Sequence, residues 1–267
     1  MSDQPDRPIA SSEYSEDYFL TACDGHEEYL THEGTVLARR LEVVWRYLDA
    51  QHAMRILDIG CGRGEMVVQG GLSGIRAVGL DYSPVALHFA QRAIARAESL
   101  RTSEWIPPTL SLANAVQIPL QSQTFDRVIM SDIVEHLYLD ELTAALQEVH
   151  RVLVPGGQLL IHTMPNLWYY RYGYPLFRLV RRLQGVALPR DPRSRHQFAH
   201  VHVNEQTPFT LRSALDQSPF SRWHVWLHDY RRYDEYCSLM SRLLRMLTSL
   251  PLLKQVFCDD LFALARK

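Results

Sequence analysis

The sequence predicts an α/β fold in which a doubly wound, Rossmann-like and mostly parallel sheet is flanked by helices. From residue 54 onwards, short apolar segments alternate with segments of helical periodicity. The first apolar segment runs into a glycine-dense turn at 60–64. Such alternation is typical of βαβ units, and it directs ligands to the carboxyl ends of the strands. The 267 residues suffice for one large domain of this kind.

Each element has its own signal in the sequence. Leucines and valines recur at helical spacing over 34–49, which predicts an amphipathic helix. Further helices are predicted at 62–70, 83–100, 139–153 and 207–217. Ser83 and Thr207 are the expected N-caps of two of them. Short apolar runs predict strands at 54–60, 76–81, 109–114, 125–132, 157–163, 223–230 and 260–266.

The composition argues against several classes of protein. The net charge of −2 offers no general attraction to nucleic acid. The four cysteines are scattered without a CxxC pair, which argues against a structural zinc site and favours a reducing compartment. The polar N-terminus does not resemble a signal peptide, and no apolar run approaches the roughly 18 residues of a membrane span. We therefore expect a cytoplasmic protein with no nucleic-acid partner.

The strongest functional signal is the segment LDIGCGRG at 57–64. Glycines allow the chain to turn tightly and to approach a ligand, and the following helix presents free N–H groups. Asp81 ends the next predicted strand 17 residues after Gly64. A carboxylate at that position accepts both ribose hydroxyls of a nucleoside. The glycines alone would also fit a tight turn without a ligand, and Asp81 makes that alternative less favourable.

Two nucleoside cofactors compete for this turn. Dinucleotide-binding proteins use G-x-G-x-x-G, in which the helix faces a pyrophosphate. Here the spacing is G-x-G-x-G, and Asp58 lies two residues before the first glycine. A carboxylate beside the turn would repel a pyrophosphate, but it suits the positively charged amino-acid end of S-adenosylmethionine. The residues therefore favour S-adenosylmethionine over a nicotinamide cofactor.

Four motifs now resemble those of class I S-adenosylmethionine-dependent methyltransferases. They are LDIGCGRGE at 57–65, GLDYS at 79–83, FDRVIMSDIVEHL at 125–137 and LVPGGQLLIHTMPN at 153–166. The resemblance is to the small-molecule group, which is similar to ubiquinone-biosynthesis methyltransferases. It implies a seven-stranded sheet whose last strand is antiparallel.

The resemblance also implies roles for individual residues. Around the methionine part of the cofactor it places Asp58, Gly60, Cys61 and Gly62. Asp81 should bind the ribose. Tyr82, Asn114 and Ala115 should lie at the adenine, and Ser131 should border the sulfonium.

The resemblance divides the chain as well. Residues 1–50 are expected to form an N-terminal extension with a lid helix, and 51–267 a methyltransferase domain with insertions at about 166–204 and 231–257. In related enzymes such an N-terminal segment folds over the cofactor pocket, so Tyr14, Tyr18 and Phe19 are candidates to close it. The alternative is that these aromatic residues only attach the helix to the domain.

Candidate catalytic residues follow the fourth strand. If this segment were helical, Asp132, Glu135 and His136 would share one face. They could make only local hydrogen bonds, or His136 could act as a general base. The third alternative is a divalent metal site, because the segment resembles the E-x-x-E-H metal motif of some methyltransferases, with Asp132 in place of the first glutamate. A further ligand would then come from His200 or His202.

The insertion at 167–185 has leucines and valine on one predicted helical face and arginines on another. Such a helix can lie at a membrane surface, such as the inner face of a membrane. It could also cover the active site, or dock onto the domain with a solvated basic face.

Together these observations predict methyl transfer from S-adenosylmethionine to a small or lipid-linked acceptor at oxygen. A non-catalytic S-adenosylmethionine-binding protein and a nicotinamide-dependent oxidoreductase are the alternatives.

Overall fold

The computed structural model describes residues 8–100, 103–195, 197–228, 246 and 249–267. Seven strands form one sheet in the order β3-β2-β1-β4-β5-β7-β6. They are β1 (Arg55–Ile59), β2 (Arg76–Asp81), β3 (Thr109–Leu112), β4 (Phe125–Ser131), β5 (Leu153–Thr163), β6 (Arg222–His228) and β7 (Asp260–Arg266). The first five are parallel, and β7 is antiparallel to both β5 and β6. The predicted fold class is confirmed.

Eight α-helices accompany the sheet in the described part of the chain. They are α1 (His26–His32), α2 (Arg39–Leu48), α3 (Glu65–Leu72), α4 (Pro84–Ser99), α5 (Leu139–Val152), α6 (Tyr174–Leu183), α7 (Pro208–Asp216) and α8 (Pro251–Phe257). The hydroxyls of Ser83 and Thr207 cap α4 and α7, as predicted. Among the described residues, every helix is too short or too polar to cross a bilayer.

The N-terminal helix differs from the prediction. It begins at Arg39 rather than near residue 34, because Gly34 has a φ of 80° and Ala38 is extended. A separate short helix, α1, precedes it. No side chain caps α1, whose N-cap is Gly25, so the sequence offers little local signal for it.

Two buried clusters cover the two faces of the sheet. One contains leucines and valines of α5 and α7 together with one set of alternating strand residues. The other contains side chains of α2 and α3 with the intervening strand residues. A third cluster attaches Tyr14, Phe19 and Tyr29 to Phe89 and Ala93 of α4. The N-terminal residues thereby lie against the domain, near the carboxyl ends of the strands.

The strand register brings those carboxyl ends together. Ile59 pairs with Leu80 and with Met130, and Ser131 pairs with His162. The residues that follow β1, β2, β4 and β5 therefore meet at one edge of the sheet. The predicted insertion at 166–204 contains α6. Of the predicted insertion at 231–257, residues 231–245 and 247–248 lie outside the described residues, and α8 occupies its end.

Candidate functional site

The turn between β1 and α3 has the conformation that its glycines predict. Gly64 has a φ of 84°, and a Cβ atom there would lie 2.9 Å from the Ala90 Cα of α4. Only glycine allows α3 to begin this close to α4. The backbone N–H of Gly62 donates to Asp81 Oδ2 at 3.0 Å, and the N–H of Ser83 donates to Oδ1 at 2.9 Å. The turn and the end of β2 are thus joined through one carboxylate.

The acids around this turn are buried. Burial raises the pKa of Asp81, although the backbone N–H groups of Ser83 and Gly62 oppose the rise. Burial, followed by the neighbouring carboxylates of Glu65 and Asp81, also raises the pKa of Asp58. The site therefore concentrates carboxyl groups whose ionised forms are disfavoured, and a ligand with cationic groups and hydroxyl donors would stabilise those ionised forms.

A cavity of about 680 Å³ opens in front of this turn. Its volume lies within the range of about 300–1,000 Å³ that is common for sites of small molecules and cofactors. Every residue predicted to bind the cofactor lines it: Asp58, Gly60, Cys61, Gly62, Asp81, Tyr82, Asn114, Ala115 and Ser131. The structure brings these residues together from four strand ends, while the individual roles stay predictions.

The N-terminal segment covers the cavity. Tyr14, Tyr18 and Phe19 line it. Buried Arg63, which lies inside the glycine turn, donates from Nη1 to the Phe19 carbonyl at 2.9 Å and from Nη2 to the Asp24 carbonyl at 2.7 Å. The cover is therefore fastened to the turn itself. Arg63 also forms an ion pair with Glu65, two residues further along the chain. Its bonds to the cover could not be predicted from the sequence, because the two partners there are backbone carbonyls, which carry no side-chain signal.

A second group of polar side chains lies in the same cavity. Atoms of Glu135, His136 and His202 that could ligate a metal lie within 4.8 Å of one another. The Thr163 hydroxyl donates to Glu135 Oε2 at 2.6 Å, and the Tyr14 hydroxyl forms a 3.0 Å hydrogen bond with His136 Nδ1. We call Glu135, His136 and His202 the acid–histidine cluster.

The electrostatics of the acid–histidine cluster follow from burial. Burial, with the Asp132 carboxylate, raises the pKa of Glu135 to about 7. Burial, with neighbouring His202, lowers the pKa of His136 to about 3, so His136 is neutral. Burial alone would lower the pKa of His202, but the carboxylates of Glu205 and Glu135 outweigh it and raise that pKa.

Two predicted metal candidates lie apart from this cluster. Asp132 lines the cavity but has a φ of 54°, which is incompatible with the helix that would have aligned it with Glu135 and His136. The helical turn here begins only at Val134. His200 lies at the surface, where its Nε2 is 2.9 Å from Glu13 Oε2.

Asp132 belongs instead to a buried ionic network. Its Oδ2 lies 3.1 Å from Arg40 Nη2, and its Oδ1 lies 3.1 Å from Nδ1 of fully buried His162. The other ring nitrogen of His162 is 3.0 Å from Asp260 Oδ1. Burial alone would lower the pKa of His162, but the two carboxylates raise it to about 9. Arg40 and His162 outweigh burial and hold the pKa of Asp132 below its usual range.

A further wall of the cavity, formed by Tyr170, Arg193 and Glu205, was not predicted from the sequence. Arg193 forms an ion pair with Glu205, and its guanidinium carbon lies 5.2 Å from the centre of the Tyr170 ring. All three line the cavity. The sequence signal for this wall is that residues 168–195 contain seven arginines and one acidic residue.

The fold and this site resemble those of class I S-adenosylmethionine-dependent methyltransferases. A seven-stranded sheet with an antiparallel β7 carries a glycine turn after β1, and the carboxylate of Asp81 at the end of β2 accepts a hydrogen bond from that turn. Residues 57–161 match the family described as "Methyltransferase domain". The methyltransferase class predicted from the sequence is thereby confirmed.

Individual proteins agree with this class. The chain is 28% identical over 162 residues to a demethylmenaquinone methyltransferase of Listeria monocytogenes, covering 54% of this chain and 65% of that protein. It is 30% identical over 115 residues to the O-methyltransferase resE of Aspergillus sclerotiorum, covering 43% and 41%. The chain thus spans less than two thirds of the length of each relative.

A solved structure agrees in fold. The crystal structure of a SAM-dependent methyltransferase from Archaeoglobus fulgidus superposes with a TM-score of 0.57 at 20% identity, over 90% of this chain and 99% of that one.

Proposed function

We propose that this chain transfers the methyl group of S-adenosylmethionine to an oxygen atom of a small or lipid-linked acceptor. The observation that carries the proposal is that one cavity holds both the Asp81 turn and the acid–histidine cluster. The names of the two relatives, a demethylmenaquinone methyltransferase and an O-methyltransferase, support a small-molecule acceptor.

Methyl transfer requires little covalent catalysis by the protein. Methyl transfer from a sulfonium mainly requires that nucleophile and methyl group are held in line. In our proposal Asp81 accepts hydrogen bonds from the ribose hydroxyls, and the buried acids favour the cationic cofactor over its neutral product. The aromatic cover excludes water, so that the acceptor is the nucleophile that reaches the methyl group.

The acceptor hydroxyl must lose its proton during the reaction. His136 is neutral, lines the cavity and is oriented by Tyr14, so it is positioned to receive that proton. A pKa of about 3 makes it a weak base by itself. This weakness favours a supporting role for a cation in the same cluster.

We therefore propose a divalent cation as a second ligand of the cavity, held by Glu135, His136 and His202. The residues fit: one carboxylate and two imidazoles, with ligand atoms within 4.8 Å of one another, suit Fe²⁺, Mn²⁺ or Zn²⁺. Such a cation would lower the pKa of an acceptor hydroxyl, so that the hydroxyl proton would be released to solvent as the acceptor binds. His136 would then be a ligand of the cation and not the base. Asp132 and His200 take no part in this revised site.

The metal proposal predicts stoichiometric binding. Protein purified without chelator should contain about one divalent ion per chain by elemental analysis. The His202→Ala variant should lose it, whereas His200→Ala, a matched change at the surface, should retain it. Wild-type protein without metal, or equal metal in both variants, contradicts the proposal, and His136 then remains as the candidate base.

The methyl-transfer proposal is tested with methyl-labelled S-adenosylmethionine and an extract of the source cells. We expect label in the organic-soluble or aqueous small-molecule fraction, and none with the Asp81→Ala variant. Label in macromolecules would contradict the acceptor class. Label in no fraction, with S-adenosylhomocysteine binding intact, would favour a non-catalytic binding protein. Tighter binding of NADH than of S-adenosylhomocysteine would favour an oxidoreductase.

A further inference from the structure

Helix α6 carries its apolar face outwards. Leu176, Leu179 and Leu183 lie on one side of this helix and are 48%, 54% and 81% exposed. The opposite side, which includes Tyr174, is the one that contacts the protein, and Tyr174 is buried. One alternative left open by the sequence was a helix docked through its apolar face, with its basic face in solvent. The exposed leucines show that the apolar face is instead the one in solvent.

Further apolar side chains are exposed on the elements next to α6. The preceding turn, Tyr169–Gly173, packs closely on α8, since a Cβ at Gly173 would lie 2.0 Å from the Val256 carbonyl oxygen. Leu252 of α8 is itself 84% exposed. Tyr172 is exposed at the N-terminal end of α6. Exposed leucines on adjoining helices exceed the isolated apolar side chains that a surface normally carries.

The charged side chains in the stretch of sequence that contains α6 are basic. No aspartate or glutamate lies between Glu148 and Asp191, whereas that stretch contains several arginines. Arg171 and Arg182 are exposed, and the guanidinium of Arg171 lies over the Tyr172 ring at 5.7 Å. Leucines flanked by arginines and an exposed aromatic ring are the features of a helix that lies in the headgroup layer of a bilayer.

We propose that α6, together with the exposed end of α8, docks this protein on an anionic lipid surface. The leucines would enter the boundary between headgroups and acyl chains, and the arginines would contact lipid phosphates. Charge complementarity favours an anionic lipid surface over an apolar protein partner. The segment carries arginines and no acidic residues, which matches lipid phosphates, whereas an apolar partner would not require that charge pattern. The docking proposal does not depend on the identity of the methyl acceptor. If the acceptor is lipid-linked, docking would also bring the cavity close to it.

The test is co-sedimentation with vesicles of phosphatidylglycerol and phosphatidylcholine, compared with phosphatidylcholine alone. We expect binding to the anionic vesicles only. Leu179→Glu/Leu183→Glu should weaken it about tenfold or more, and Arg171→Glu/Arg182→Glu by about as much. The matched control is Leu30→Glu/Leu139→Glu, which changes two exposed leucines on α1 and α5 and should bind as the wild type does.

Three results would overturn the proposal. The first is that the wild type does not bind anionic vesicles. The second is that the α6 variants bind as the wild type does. The third is that the wild type is a dimer without vesicles and that Leu179→Glu/Leu183→Glu makes it monomeric. The last result would assign the face to a second copy of the chain. Unchanged binding of S-adenosylhomocysteine shows that each variant is folded.

Discussion

Replacing Asp81 by alanine should weaken the binding of S-adenosylhomocysteine by about 100-fold, as measured by calorimetric titration. The variant loses the acceptor proposed for two ribose hydroxyls, and hydrogen bonds to a charged group contribute about 1.5–3 kcal/mol each. It also releases the N–H groups of Gly62 and Ser83, which the carboxylate now holds at 3.0 and 2.9 Å. Loss of the ribose contacts and loosening of the turn both lower the affinity for S-adenosylhomocysteine.

Two further variants separate these causes. Asp81→Asn keeps the shape of the side chain and one acceptor oxygen, so we expect an intermediate loss. Asp216→Ala removes an exposed carboxylate at the end of α7 and should bind as the wild type does. An Asp81→Ala protein that is folded and retains wild-type affinity would contradict the assigned cofactor site.

Replacing His162 by glutamine should lower the free energy of unfolding by about 3 kcal/mol at pH 6. The protonated ring lies between Asp132 and Asp260, at 3.1 and 3.0 Å, and is fully buried. Without its charge, the carboxylates of Asp132 and Asp260 lose a shared cation, and Asp132 keeps its ion pair with Arg40. Urea unfolding of the two proteins measures the difference.

The same residue predicts a dependence on pH. The pKa of His162 is raised from 6.5 to about 9 in the folded protein, so its contribution is complete below pH 6.5 and is lost as the pH rises through 9. A shift of this size corresponds to about 3 kcal/mol. Asp132 has the opposite sign, because its folded pKa is lowered from 3.8, so its contribution is lost only in acid.

The wild type should therefore lose stability between pH 6 and pH 9, and His162→Gln should lose much less. His88→Gln, which changes an exposed histidine on α4, should retain the wild-type dependence. Parallel pH profiles for wild type and His162→Gln would show that His162 is neutral in the folded protein.

The sequence predicted those features that depend on local pattern. Strands such as 54–60 and 76–81 are apolar runs ended by glycine or aspartate, and the caps Ser83 and Thr207 act within one turn. The glycine turn and Asp81 are separated by a standard βαβ length, so their meeting follows from the fold class. For the same reason the cofactor candidates could be named before their geometry was known.

The remainder of the site depends on contacts between distant segments. The partnership of His162 with Asp260 follows from the pairing of β5 with β7, 98 residues apart in sequence. The orientation of Asp132 depends on a φ of 54°, which a non-glycine residue adopts only where the surrounding structure holds it. No helical or strand periodicity carries such information, and the predicted common face of Asp132 and Glu135 failed for this reason.

The bonds from Arg63 to Phe19 and Asp24 have a kinetic consequence. Arg63 lies in the turn that is proposed to bind the nucleoside, and its bonds hold the N-terminal cover against that turn. If the proposed function is correct, exchange of S-adenosylhomocysteine for S-adenosylmethionine would require the N-terminal cover to detach from the turn. The rate of that detachment would then set an upper limit on turnover, whatever the rate of methyl transfer itself.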